Sequence, residues 1–164
     1  DKRWMYEECF KTSFLVRWPG VPAPGEVNQD IVSNLDFAPM LLDMAGTDIP
    51  SDMQGHSLVP ILKGETPSDW RKTFYYRYHG EHERDHPFRP GNYWNHGVPP
   101  HDGVTTGRYK LIHYKYDEVD EWEFFDLKMD PKEMKSEYSN PKYVNSINRL
   151  KSELKKLRIK FQVN

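Results

Sequence analysis

The apolar positions change their rhythm along the chain. Phe14-Leu15-Val16-Arg17-Trp18 is a short apolar run stopped by Pro19-Gly20, which predicts a buried strand. Pro22, Pro24 and Gly25 predict a loop, and Val27–Leu35 predicts a second strand. Asp36 stands as an N-cap, with Pro39 in the first turn, where its missing N–H costs nothing. Met40, Leu41, Met44 and Ala45 then recur at helical spacing, and Gly46 closes that helix. Ser57–Leu62 reads as one or two helical turns ending at Lys63-Gly64. After Thr66-Pro67 the style shifts. Phe74–Tyr78 is an aromatic strand, Val104–Lys115 is a strand pair broken at Gly107 or one long strand, and Trp122–Leu127 is a further strand. Pro141 opens the last element. Val144, Ile147, Leu150, Leu154, Leu157 and Phe161 form its apolar stripe, and Lys151, Glu153, Lys155, Lys156 and Arg158 its polar face.

These elements predict two parts. Residues 1–65 carry the strand–helix alternation of an α/β layer, and residues 66–164 carry strands followed by one long helix. The second pattern predicts an α+β subdomain, an antiparallel sheet with the helix across one face. At 164 residues the chain is long enough for one sizeable core. Lys+Arg is 23 against Asp+Glu 25, so the basic excess of a nucleic-acid binder is missing. No apolar run approaches the ~18 residues that a membrane-spanning helix needs. The single cysteine excludes an internal disulfide. Aromatics at 14% suit either a core of large side chains or a carbohydrate-handling surface.

Several segments point to one family. They are Asp1-Lys2-Arg3-Trp4-Met5-Tyr6-Glu7-Glu8 running into Phe14–Gly20, Ile31-Val32-Ser33-Asn34-Leu35-Asp36-Phe37-Ala38-Pro39, and Met53-Gln54-Gly55-His56-Ser57-Leu58. Arg108-Tyr109-Lys110-Leu111-Ile112 and Glu123-Phe124-Phe125-Asp126-Leu127-Lys128-Met129-Asp130-Pro131-Lys132-Glu133 follow in the same order. Together they resemble the last third of a sulfatase of the alkaline-phosphatase-like superfamily. The branch is the one acting on sulfated glycans, similar to N-acetylglucosamine-6-sulfatase and heparan-type enzymes. The resemblance implies the α/β tail of the catalytic domain over residues 1–65 and the C-terminal subdomain over 66–164. It implies sulfate monoester hydrolysis with a formylglycine nucleophile and a calcium ion in the intact enzyme. This chain has neither the family's "C/S-x-P-S/A-R" motif nor its metal-ligand pairs. It is therefore expected to work only with an upstream catalytic domain, to bind no cofactor itself, and to be inactive alone. Its implied partners are that domain and a sulfated carbohydrate, with no nucleic acid and no membrane span. Its implied location is periplasm, lysosome or cell exterior.

The resemblance also assigns roles. Lys2 stands four residues before Tyr6-Glu7, the spacing of the family's sulfate-binding lysine. A fixed ammonium there stabilises the anionic ester and the charge gained by the leaving alkoxide. Otherwise Lys2 is an ordinary solvated lysine. Asp1 and Arg3 flank it, and similar enzymes use an acid and an arginine here to grip sugar hydroxyls. The alternative is a salt bridge between them. His101, in His101-Asp102-Gly103-Val104, matches a loop that returns toward the cleft, where an imidazole meets a hydroxyl or a sulfate oxygen. Thr105-Thr106 replace the arginine usual there.

Other features carry less. His79, His82 and His86 have metal-like spacing, but Gly80 and Pro87 break a helix and the intervening charges suit a wet loop. Residues 79–102 are expected to line the glycan cleft, with Tyr93 and Trp94 as sugar-stacking faces or as packing on the sheet. Cys9 stands where the family has serine, and nothing local lowers its pKa. Two readings compete with a sulfatase: a carbohydrate-binding or assembly module, and a related phosphodiesterase or phosphonate monoester hydrolase.

Overall fold

The computed structural model describes residues 3–21, 25–79 and 98–163. In chain order these form α1 (Glu7–Phe10), α2 (Phe37–Met44), α3 (Val59–Leu62), β1 (Phe74–Tyr78), β2 (His101–Thr105), β3 (Tyr109–Tyr116), β4 (Val119–Asp126) and α4 (Val144–Lys160). They gather into two compact units, Phe14–Lys72, and Asp1–Ser13 together with Thr73–Asn164. The change of unit thus falls some residues beyond Gly64, and the N-terminal segment packs with the sheet.

In the unit 14–72 the expected helix is present, but the expected strands are not. Neither 14–18 nor 27–35 is a strand. A strand needs a neighbour to take its N–H and C=O groups, and no described segment pairs with either run. Ser33 instead caps a 3-10 turn at Asn34–Asp36, with Ser33 and Asp36 bonding each other's backbone reciprocally. Asp36 stands at the N-cap position of α2 without capping it. Its fully buried carboxylate accepts from Ser33 N (2.7 Å), His56 N (2.9 Å) and both terminal nitrogens of Arg71 (2.5 Å each). Burial raises its pKa, but the Arg71 bond and the two backbone donors outweigh that and hold it below the ordinary value. A small core forms from Met40, Leu58, Val59, Ile61 and Trp70. Gly46 (φ +68°) ends α2 as expected. Leu15, Val27, Leu35 and Leu41 remain more than half exposed.

The second unit is built on a four-stranded antiparallel sheet in the order β1-β2-β3-β4. Gly107 (φ +79°) turns the chain between β2 and β3, so the expected strand pair is the observed one. Strand alternation divides the side chains between two faces. On one face Val104, Leu111 and Phe124 meet Ile147, Leu150 and Leu154 of α4, as the helical stripe predicts. On the other face Ile112, Tyr114 and Phe125 are covered by the N-terminal segment, led by the fully buried Met5. Gly103 makes that docking possible. A Cβ there would stand 2.6 Å from Met5 Sδ and 2.4 Å from the Leu111 carbonyl oxygen.

Candidate functional site

The face covered by the N-terminal segment collects the polar groups. Tyr76 Oη donates to the Arg3 carbonyl (2.7 Å), and Lys110 Nζ donates to the Met5 carbonyl (2.6 Å). Tyr6 Oη and Tyr114 Oη both donate to Glu123 Oε2, at 2.7 and 3.0 Å. Burial is the main cause that lifts the Tyr6 pKa to about 12 and raises that of Tyr114 strongly, so both phenols stay neutral donors. Residues 3–7 are therefore fixed at several points along the backbone.

His101 lies on the same face, in β2 opposite Tyr78 and Tyr114. It is buried, and Trp4 stacks on it with ring centroids 5.7 Å apart. Its Nδ1–H donates to the Pro99 carbonyl at 2.8 Å. That bond leaves the Nε2 lone pair as an acceptor, and this buried atom has no hydrogen-bond partner among the described residues. Burial is the largest influence and holds the imidazole pKa below its ordinary value, against the Pro99 carbonyl. A neutral ring with an open acceptor suits a hydroxyl donor better than a sulfate oxygen. The Nη1 atom of Arg3 is also buried.

The face under α4 holds a second polar cluster. Arg158 Nε and Nη2 bond Asp102 at 2.7 and 2.5 Å, and Nη2 also donates to His113 Nδ1 at 2.7 Å. His113 Nε2–H donates to Asp120 at 2.8 Å, and its ring stacks on Trp122 at 3.8 Å. Every polar atom of this ring has a partner, so the cluster reads as structural. Burial again leads in holding His113 below its ordinary pKa.

Both histidines make stability depend on pH with a definite sign. The unfolded chain, with histidines near pKa ~6.5, binds more protons than the folded one, so stability rises with pH. The full contribution is expected above pH ~6.5, and it falls as pH drops through the lower folded values. Urea midpoints at pH 8, 6.5 and 5.5 should decrease in that order, and His113→Asn should flatten the trend. A midpoint independent of pH over this range would contradict the burial argument.

The structure thus brings Arg3 and His101 to one face. Asp1 and Lys2 lie outside the described residues, as do His82, His86, Tyr93 and Trp94. Cys9 is half-buried in α1. Among the described residues no group of three His, Cys, Asp or Glu side chains could hold a metal ion. Sequence reasoning missed Lys110, Glu7 and Glu133, which meet on this face. A signal was present: Lys110 shares the period-two face of Ile112 and Tyr114, a core position for a lysine.

A family model described as N-sulphoglucosamine sulphohydrolase, C-terminal, matches residues 1–160. An N-acetylglucosamine-6-O-sulfatase of Bacteroides thetaiotaomicron is 39% identical over 100% of this chain and 28% of that protein. A solved protein in complex with its substrate D-glucosamine-2-N,6-O-disulfate superposes with a TM-score of 0.85 at 38% identity, over 100% of this chain and 31% of its own. A phosphonate monoester hydrolase from Silicibacter pomeroyi superposes at 0.68 and 26% identity, over 88% of this chain and 28% of its own. The chain spans less than a third of the length of these relatives.

Proposed function

The chain belongs to the N-sulphoglucosamine sulphohydrolase C-terminal family, and we propose that it is the C-terminal part of an enzyme hydrolysing sulfate monoesters on glycans. In this reading Lys2 meets the sulfate, while Asp1, Arg3 and His101 hold sugar hydroxyls. The observation that carries the reading is the stacking of Trp4, next to Arg3, on His101 from a distant part of the chain, with one imidazole nitrogen left without a donor among the described residues. Buried acceptors without a donor are uncommon, and a ligand hydroxyl is one way to complete them. The upstream catalytic domain supplies the rest of the site. Calcium and formylglycine belong to that domain in this reading. The described residues here fit neither, since no ligand group is assembled and Cys9 lacks the nucleophile motif. The chain's own part in the reaction is to bind and orient. Residues 1–65 are assigned to the end of the catalytic domain and 66–164 to the smaller subdomain. No helix among the described residues is long and apolar enough to cross a membrane. Export to periplasm, lysosome or cell exterior follows from the resemblance.

His101→Phe in the full-length enzyme tests the reading, because it keeps the stack with Trp4 and removes the acceptor; it also removes the bond to the Pro99 carbonyl, a structural loss that the small aryl sulfate would report. A hydrogen bond to substrate is worth about 1 kcal/mol. The specificity constant kcat/KM for a sulfated glucosamine should therefore fall about fivefold, with a small aryl sulfate unaffected. Equal losses on both substrates, or none, would count against a sugar-binding role. The likeness to a phosphonate monoester hydrolase supports a second reading, in which the ester is a phosphonate. Turnover of a phosphonate monoester in place of the sulfate would favour it.

A further inference from the structure

We propose that Lys110 is a positioning residue of the sulfate site, acting through the backbone of residues 3–7; this rests on the sulfatase reading above. Lys110 is fully buried in β3. Its ammonium group lies 2.8 Å from Glu7 Oε1, 2.7 Å from Glu133 Oε1 and 2.6 Å from the Met5 carbonyl oxygen. Glu133 closes the cluster by accepting from the Glu7 backbone N–H at 2.5 Å. Glu133 adopts φ +54°, a left-handed backbone that non-glycine residues rarely take. The chain accepts that conformation where it delivers a carboxylate to the cluster.

An ion cluster is not needed to fill this space. Buried ion pairs are seldom better for stability than apolar residues of similar volume. What this cluster adds is direction. Met5 Sδ sits in the gap left at Gly103, and apolar contact of this kind is non-directional. The bonds to the Met5 carbonyl and the Glu7 N–H are directional, and each fixes one backbone atom. With the Tyr76 bond at Arg3, they set the register of residues 3–7, the stretch that directly follows Lys2 in the sequence. Catalysis by a fixed ammonium depends on placement, and ~1 Å of misplacement costs about a hundredfold in rate.

The test is a double-mutant cycle in the full-length enzyme, with Lys110→Met and Lys2→Ala alone and combined. Lys110→Met removes the bond to the Met5 carbonyl and keeps the apolar stem in place. Lys110→Met combined with Glu7→Gln and Glu133→Gln, which leaves no carboxylate without its cation, serves as a second variant. On a small aryl sulfate, Lys110→Met should lower kcat about tenfold or more, with little change in KM. In the Lys2→Ala background it should lower kcat no further, while the shift in Tm stays the same. A purely structural role predicts multiplied losses in the double variant, or unchanged kcat with a lower Tm. Either result, after a full effect of Lys2→Ala, overturns the positioning role and leaves the sulfatase reading standing. Unchanged turnover in Lys2→Ala overturns the positioning role together with the assignment of Lys2, while failure of the unmodified enzyme to hydrolyse any sulfate ester overturns the sulfatase reading.

Discussion

Lys2→Ala in the full-length enzyme is expected to lower turnover of a sulfate ester by about two to three orders of magnitude. The size follows from the proposed role. As the ester bond breaks, negative charge moves onto the departing oxygen, and an ammonium held close to it stabilises the transition state more than the bound ester. Removing one such donor costs about 2.7–4 kcal/mol in comparable sites. The loss should fall on kcat as well as on kcat/KM, because the interaction grows during the reaction. Thermal stability should hardly move. Single-turnover and steady-state rates on an aryl sulfate, with a melting curve beside them, make the measurement. Turnover at the level of the unmodified enzyme would end the assignment of Lys2.

The second large effect concerns stability. Arg71→Met is expected to destabilise the unit 14–72 by about 3–5 kcal/mol, because it leaves the carboxylate of Asp36 buried without its cation. Asp36 is fully buried and Arg71 is 14% exposed at its side chain, so water does little to compensate. The backbone donors from Ser33 and His56 remain, which limits the loss. The pH dependence has its own sign. The folded pKa of Asp36 is depressed, so its contribution is present above pH ~3.9 and is lost as pH falls through the lower folded value. This acid limb lies below the histidine window, and the two should separate in urea melts. Asp36→Leu combined with Arg71→Met should cost less than the sum of the single changes, since neither charge is then left alone. A loss under 1 kcal/mol for Arg71→Met would show that the pair is not isolated from water.

Local patterns were legible wherever the pattern itself is local. The stripe from Val144 to Leu157 predicts α4 because helical neighbours are three or four residues apart. Gly107 marks the turn between β2 and β3 because the backbone there reaches positive φ, which glycine adopts freely. Phe14–Trp18 and Val27–Leu35 failed for the opposite reason. Apolar character says that a run would be buried, while a strand also requires a partner that such a run cannot name. The roles of Arg3 and His101 came from resemblance, and the structure adds that Trp4, next to Arg3, stacks on His101. The Lys110 cluster was legible only in part: Lys110 stands at a core position of the period-two pattern, but Glu7 and Glu133 lie far from it in the sequence and each looks like a surface charge.

The docking of Met5 and Glu7 on the sheet bears on how such a chain is made. Lys110 reaches the Met5 carbonyl across 105 residues, and Glu133 reaches the Glu7 N–H across 126. During synthesis the N-terminal segment leaves the ribosome long before the strands that will hold it. Residues 14–72 intervene and can gather their own small core while the segment waits. The cost of closing so long a loop grows only slowly with length, so the delay is one of time more than of free energy. The anchor of the proposed sulfate-binding segment is completed only when Glu133 has been translated. In the sulfatase reading the segment is thus locked late, and premature chains ending before that residue would lack the lock.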